Sequence, residues 1–164
     1  FIFLFVVPYS FVACTVIIGE GNVGSLVTSY LVNNNLKIEN CYSHANLTSL
    51  CDYDAGGLLA PGDKQYSYNI SNSYFDGKIN ATYRTGPIKA MNENNNTDNL
   101  SKIKYTISNC YYNKEKFTIT TNTPSTTGLT TEQFADQSNF AGWDFENTWI
   151  MKDGRPELRI FVKD

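Results

Sequence analysis

Glu39, Cys41 and His44 fall within one short stretch, KIENCYSHANL (residues 37–47). Those residue types suit a thiolate activated by an imidazole, or a small metal-binding cluster. Downstream, Asp52, Asp54, Asp63 and Asp76 supply the carboxylates that a glycosidase or polysaccharide lyase uses for acid–base work, provided that two of them converge with a basic group. The rest of the chain supports neither reading. His44 is the only histidine, there is no Cys-x-x-Cys pair, and no serine lies in a nucleophile elbow. The aspartates sit among Gly, Ser and Asn, where solvated turn aspartates are the rule. No catalytic residue, cofactor or metal is therefore expected.

The same stretch is written twice more, as NISNSYFDGKI (69–79) and TISNCYYNKEKF (106–117). In these copies Glu39, Cys41 and His44 become Ser71, Ser73 and Asp76, then Ser108, Cys110 and Asn113. Reactive chemistry does not survive that exchange. What recurs is Ile38, Ile70 and Ile107; Asn40, Asn72 and Asn109; and Tyr42, Tyr74 and Tyr111. A second element precedes each copy, VGSLV, AGGLL and TGPIK, and aligns Gly24, Gly56 and Gly86. The glycines are 32 and 30 residues apart and the asparagines 32 and 37. Repeats of this length indicate a solenoid, a propeller or an array.

The segments inside each repeat are short, β-branched or aromatic, and bounded by Asn, Gly, Ser and Asp clusters, which predicts strands and turns. A propeller needs four strands per unit and at least four blades, too many for this chain. The expected fold is all-β: a parallel β-helix (β-solenoid) of about three coils with a cap. Each glycine serves a corner with φ > 0 or a close backbone approach. Leu26, Leu58 and Ile88 point inward, as do Ile38, Ile70 and Ile107. The asparagines form a hydrogen-bonded ladder or tolerate a left-handed turn, and the tyrosines pack. Cys41 and Cys110 lie two coils apart, roughly 9–10 Å, too far for a disulfide. Two other arrangements remain open: FVACT (11–15) as the counterpart of IENCY, which makes Cys14 a neighbour of Cys41, and a Cys41–Cys51 loop closure.

Three segments follow. Residues 1–22 are an apolar run without Lys or Arg, read as a degraded coil or a truncated signal; residues 23–122 hold the repeats; residues 123–164 form the cap. The expectation is that the chain is a terminal fragment of a longer protein. The polar run MNENNNTDNLSKIK (91–104) accounts for the longer third spacing. In the cap, Thr130 and Gln133 make a capping box for a helix through about Gln137, with Phe134 on its apolar side. WDFENTWIM then reads as a strand, KDG as a turn and PELRIF as its partner. Trp143, Phe145, Trp149 and Leu158 are the expected cap core.

These residues resemble the GLUG repeat of bacterial and some microbial-eukaryote surface proteins, including adhesin-like and peptidase-associated ones. NVGSLV with IENCYS matches best, and AGGLLA with ISNSYF is good. TGPIKA departs, with Pro87 in the strand and Lys89 where an apolar residue belongs. GLTTEQFADQSNFAGWDFENTWIMKDGRPELRIF is similar to the segment that closes such arrays, so the resemblance spans Val23 to Phe161. It implies a non-enzymatic, secreted or cell-surface repeat protein, adhesive or scaffolding, presenting loops to a surface protein or glycan of a host or neighbouring cell. Any membrane association would run through the parent protein. The alternative is a carbohydrate-active β-helix protein, a lyase, a glycosidase or a glycan binder. A net charge of −3 and a pI near 5.1 argue against nucleic acid. Five sequons, at Asn46, Asn69, Asn80, Asn95 and Asn99, are candidate glycosylation sites.

Overall fold

Short β-branched and aromatic runs interrupted by Asn, Gly and Ser cannot build long elements, and the strands of this chain are two to five residues long. The computed structural model describes residues 4–8, 11–12, 16–28, 35–60, 67–90, 105–117 and 125–162. The polar run 91–104 lies wholly outside these residues.

The fold is all-β, built mostly from parallel sheets. The first sheet orders β1 (Leu4–Pro8), β6 (Asn35–Glu39), β11 (Ser67–Ser71) and β15 (Tyr105–Ser108). The second orders β2 (Phe11–Val12), β7 (Tyr42–Ser43), β12 (Tyr74–Phe75), β16 (Cys110–Asn113) and β17 (Thr126–Leu129). A third joins β3 (Val16–Gly19), β8 (Asn46–Ser49) and β13 (Ile79–Asn80); a fourth joins β4 (Val23–Gly24), β9 (Ala55–Gly56) and β14 (Thr85–Gly86). β5 (Val27–Thr28) pairs with β10 (Leu59–Ala60), and Leu59 bridges onward to Lys89. A separate antiparallel hairpin, β18 (Trp149–Lys152) and β19 (Arg155–Leu158), closes the chain.

Each strand in the five parallel sheets lies beside its counterpart one repeat away. Ile70 pairs with both Ile38 and Ile107, Tyr74 with Tyr42 and Tyr111, and Gly56 with Gly24 and Gly86. Ile38, Ile70, Leu47, Leu58, Ile88 and Phe75 are buried in one cluster, with Leu26 and Ile107 packed against it. β1, β2 and β3, all within residues 1–22, pair in parallel with β6, β7 and β8. β17, within residues 123–164, extends the second sheet.

Local geometry departs from several expectations. Among the described residues only Gly142 and Gly154 have positive φ in the glycine set, so Gly24, Gly56 and Gly86 do not turn a left-handed corner. They allow close approach instead: a Cβ on each would collide with the carbonyl oxygen of Val27, Leu59 or Lys89, respectively. The left-handed corner belongs to the asparagines, with φ of 52°, 47° and 49° at Asn40, Asn72 and Asn109. Asn tolerates that region better than most residues. The alignment of FVACT with IENCY fails, because Phe11 pairs with Tyr42 and Val7 with Ile38, which puts Cys14 four residues too late. Cys14 itself lies outside the described residues. No Cys41–Cys51 closure forms: Cys41 is buried in the core and Cys51 is exposed.

The cap also differs in detail. The Thr130/Gln133 capping box is present, with bonds of 3.1 and 2.9 Å, but the helix α1 spans only Thr131–Phe134. Asp136 ends it by accepting from the backbone N–H of Ser138 at 2.9 Å and starting a 3-10 turn over Gln137–Asn139. Residues 143–148 are not strand. The Asp144 carboxylate accepts from the N–H groups of Glu146 and Asn147 at 3.0 and 2.9 Å, which winds this stretch into turns until β18 begins at Trp149. No helix among the described residues is long and apolar enough to cross a membrane.

Ile70 is fully buried between two aliphatic counterparts. Replacement by Ala removes packing on both sides at once, and we expect Ile70→Ala to lower unfolding stability by about 2–5 kcal/mol in urea titrations.

Candidate functional site

The residues that opened the sequence reading part company in the fold. The Asn40 corner turns the chain between β6 and β7, so neighbours in sequence face different surroundings. Glu39 stays near the surface and pairs with Lys37 at 2.6 Å. Cys41 points into the core, its Sγ 3.2 Å from the Glu39 carbonyl and its backbone N–H donating to Ser73 Oγ at 3.1 Å. His44 lies half-buried on the side facing the closing hairpin. No thiolate–imidazole pair is formed. Cys110, the counterpart of Cys41, has its thiol pushed up to about 12 by burial, the opposite of what a nucleophile needs.

The carboxylates also separate. Asp54 is buried and meets the Arg84 guanidinium at 2.5 Å, and its backbone N–H donates to Asn22 Oδ1 at 3.1 Å. Exposed Asp52 accepts from Thr82 Oγ1 at 2.8 Å. Asp76 is buried and accepts from Asn113 Nδ2 at 2.8 Å and Lys116 Nζ at 2.8 Å. Asp63 lies outside the described residues. Each partner belongs to a neighbouring repeat, 30 to 40 residues away in sequence. These carboxylates tie one repeat to the next. Lys89, the residue that departs from the repeat pattern, is half-buried with its ammonium 5.1 Å from the Tyr68 ring centroid. Burial lowers it to about 8, with Asp54 opposing and Arg84 reinforcing that shift.

The densest assembly of titratable groups was not anticipated, because it joins the repeats to the cap. Tyr42 and Tyr74 stack with centroids 5.1 Å apart and planes 4° from parallel. Tyr111 continues the column and meets Phe140 and Trp143 edge-on at 4.9 and 5.5 Å. Trp143 and Trp149 stack at 4.2 Å, and Leu158 is buried beside them. Phe145 is only partly buried against this cluster. The Tyr74 hydroxyl donates to the Pro156 carbonyl at 2.7 Å and lies 2.7 Å from His44 Nε2. Tyr42 donates to Glu157, which also accepts from Arg155 Nε at 3.1 Å. Burial, joined by the Glu157 charge, raises both phenols well above their ordinary range. Groups so buried and so fully bonded lack access to a substrate.

The asparagine column is partly linked by side chains: Asn109 Nδ2 donates to Asn72 Oδ1 at 3.2 Å. The backbone N–H groups of Asn40 and Asn72 also reach across, to Ser71 and Ser108 at 3.2 Å each. Of the sequons, Asn46, Asn69 and Asn80 are exposed, although Asn46 Oδ1 already accepts from the Lys78 N–H at 3.0 Å. Asn95 and Asn99 lie outside the described residues. Among the described residues no group of three or more His, Cys, Asp and Glu side chains is placed to hold a metal.

Tyr53 and Tyr83, 46% and 47% exposed, occupy matching turns of successive repeats, with Ile18 and Leu50 also exposed on these turns or the strands entering them. Arg84 lies 4.8 Å from the Tyr83 centroid. No sequence signal singled these residues out, since turn tyrosines are common and only the register shows that they align.

Tyr74→Phe would leave the Pro156 carbonyl and the His44 N–H without their shared partner, and we expect a loss of about 1–3 kcal/mol in chemical denaturation. Tyr83→Phe, on the surface, should stay within about 0.5 kcal/mol. Searches of family models, curated proteins and solved structures returned no match to this chain.

Proposed function

We propose that the chain is a parallel β-solenoid of GLUG-like repeats ending in a cap, and that it works as a non-enzymatic scaffold, secreted or displayed at a cell surface, which presents its turns and loops to a partner. The observation that carries this reading is the use made of the acidic side chains: Asp52, Asp54 and Asp76 each bond to a residue of the following repeat. Acids spent on holding layers together are not available as a convergent acid–base pair. The partner class is a surface protein or glycan of a host or neighbouring cell. Exposed Tyr53 and Tyr83 favour the glycan arm, because an aromatic ring offers an apolar face to a sugar.

The test is binding by the full chain to a broad glycan array and to intact cells. Saturable binding that falls at least several-fold in Tyr53→Ala/Tyr83→Ala supports a presenting surface on the turns. Absence of binding across both panels would reduce the reading to a structural role alone. Incubation with uronate-containing and neutral polysaccharides should release no new chain ends; a steady release abolished by Asp76→Asn would overturn the non-enzymatic reading.

A further inference from the structure

The hairpin of β18 and β19 is a two-stranded sheet of its own, hydrogen-bonded to no other strand among the described residues. It is held to the repeats through side chains: Trp149 and Leu158 in the aromatic cluster, Tyr42 on Glu157, and Tyr74 on the Pro156 carbonyl. His44 stands at the centre of that contact, 5.0 Å from the Tyr42 ring and 5.6 Å from the Tyr74 ring.

The bonding fixes the imidazole's state. A carbonyl oxygen can only accept, so the single Tyr74 proton goes to Pro156, and the His44 nitrogen 2.7 Å away must itself carry a proton. The neutral ring is therefore protonated at Nε2 with Nδ1 bare. Around it stand Arg155 and Glu157 from β19, Asp76 beyond β12, Lys116 beyond β16, and the Tyr42 and Tyr74 phenols. The two anions already have cations, Glu157 with Arg155 at 3.1 Å and Asp76 with Lys116 at 2.8 Å. A proton arriving at Nδ1 adds a third cation to a half-buried site whose carboxylates are taken.

We propose that His44 makes the closing hairpin an acid-sensitive clasp: the hairpin is seated while the imidazole is neutral, and protonation loosens β18–β19 from the tyrosine column while the parallel sheets stay intact. Burial, and secondarily Arg155, lowers His44 from 6.5 to about 4 in the seated state. Lifting the hairpin exposes the ring and returns it toward 6.5. The open form then binds the proton more readily than the closed form. Seating is complete above about pH 6.5 and weakens as pH falls toward 4, by on the order of 100-fold in the opening equilibrium over that span.

Hydrogen exchange of the full chain at pH 7 and pH 4, corrected for intrinsic rates, reads this directly. The amides of residues 149–158 should lose protection by on the order of 100-fold relative to those of β6 and β11. His44→Gln keeps an N–H donor near Tyr74 but cannot take up a proton, and its hairpin protection should be independent of pH. Equal hairpin protection in the wild type at both pH values, or the same acid loss in His44→Gln, would overturn the proposal. If His44→Gln does not fold, the wild-type protein still decides the matter, because its one histidine gives a single imidazole NMR titration. A midpoint near 4 that coincides with shifts of the Trp149 indole supports the clasp; a midpoint near 6.5 with unmoved hairpin resonances refutes it.

Discussion

In-register parallel pairing of each strand with the strand one repeat away is the constraint on which the rest of this structure depends. It sets every side chain beside the side chain at the same place in the next repeat. Aliphatic and aromatic columns gain from this: Ile38, Ile70 and Ile107 share one core line, and the Tyr42–Tyr74 stack adds about 0.5–1.5 kcal/mol beyond its burial. Charged columns lose, because like charges directly opposite one another repel. The sequence avoids that loss by changing residue type along each charged column. Asn22, Asp54 and Arg84 follow one another in matching positions, and each neighbouring pair is bonded; His44, Asp76 and Asn113 also follow one another in matching positions, with Asn113 bonded to Asp76.

The same constraint decides what chemistry is left. A catalytic constellation needs groups that converge on a vacant position and whose proton affinities suit transfer near neutral pH. Here burial shifts Cys110 up to about 12 and the Tyr42 and Tyr74 phenols above their usual range, away from reactivity, while Lys89 is lowered to about 8 and held over the Tyr68 ring. The Cys110 thiol is directed at the Ile70 and Ser108 carbonyls, and the Tyr42 and Tyr74 hydroxyls donate to the closing hairpin. His44 is lowered as well, and its shift leaves it neutral and poised to titrate as acid is added. In the clasp proposed above, its titration acts on the seating of the hairpin.

The period of the chain was legible because selection for stacking leaves identical residues at fixed offsets. Ile-x-Asn-x-Tyr survives three times, and the strand register pairs the same isoleucines and tyrosines that the offsets align. Glycine was harder to read. Its two uses, positive φ and close approach, leave the same letter, and only the backbone shows that Gly56 serves the second and Asn72 the first. At FVACT the cysteine suggests a register that the backbone does not adopt, since Phe11 pairs with Tyr42. Residues 143–148 were misread as strand because alternating aromatics outweighed Asp144, whose carboxylate gathers the following N–H groups into a turn. Glu157 and Lys116 carried no signal at all, since each matters through a partner 40 or more residues away.

A stack of like layers must also be stopped, and here the stop is made in the terms of the stack itself. β17 adds one more strand beside β16, but Gly128 takes the place opposite Tyr112, where a Cβ would strike the Tyr112 ring. The asparagine column ends at Gly142, with φ of +81° and no room for a side chain beside the Asn109 amide. Trp143 then donates its indole N–H to the Asn109 carbonyl at 2.9 Å, taking an acceptor that faces the end of the stack. The tyrosine column meets tryptophans in place of another tyrosine, and larger rings cover a face that no further layer covers. Trp149 is buried with its indole N–H bonded to no described residue, a cost of about 1–3 kcal/mol. Burying an indole of that size against Trp143 and Tyr74 offsets such a cost. Closure of the aromatic end therefore takes precedence over satisfying one donor, and the hairpin that carries Trp149 is the element on which that closure rests.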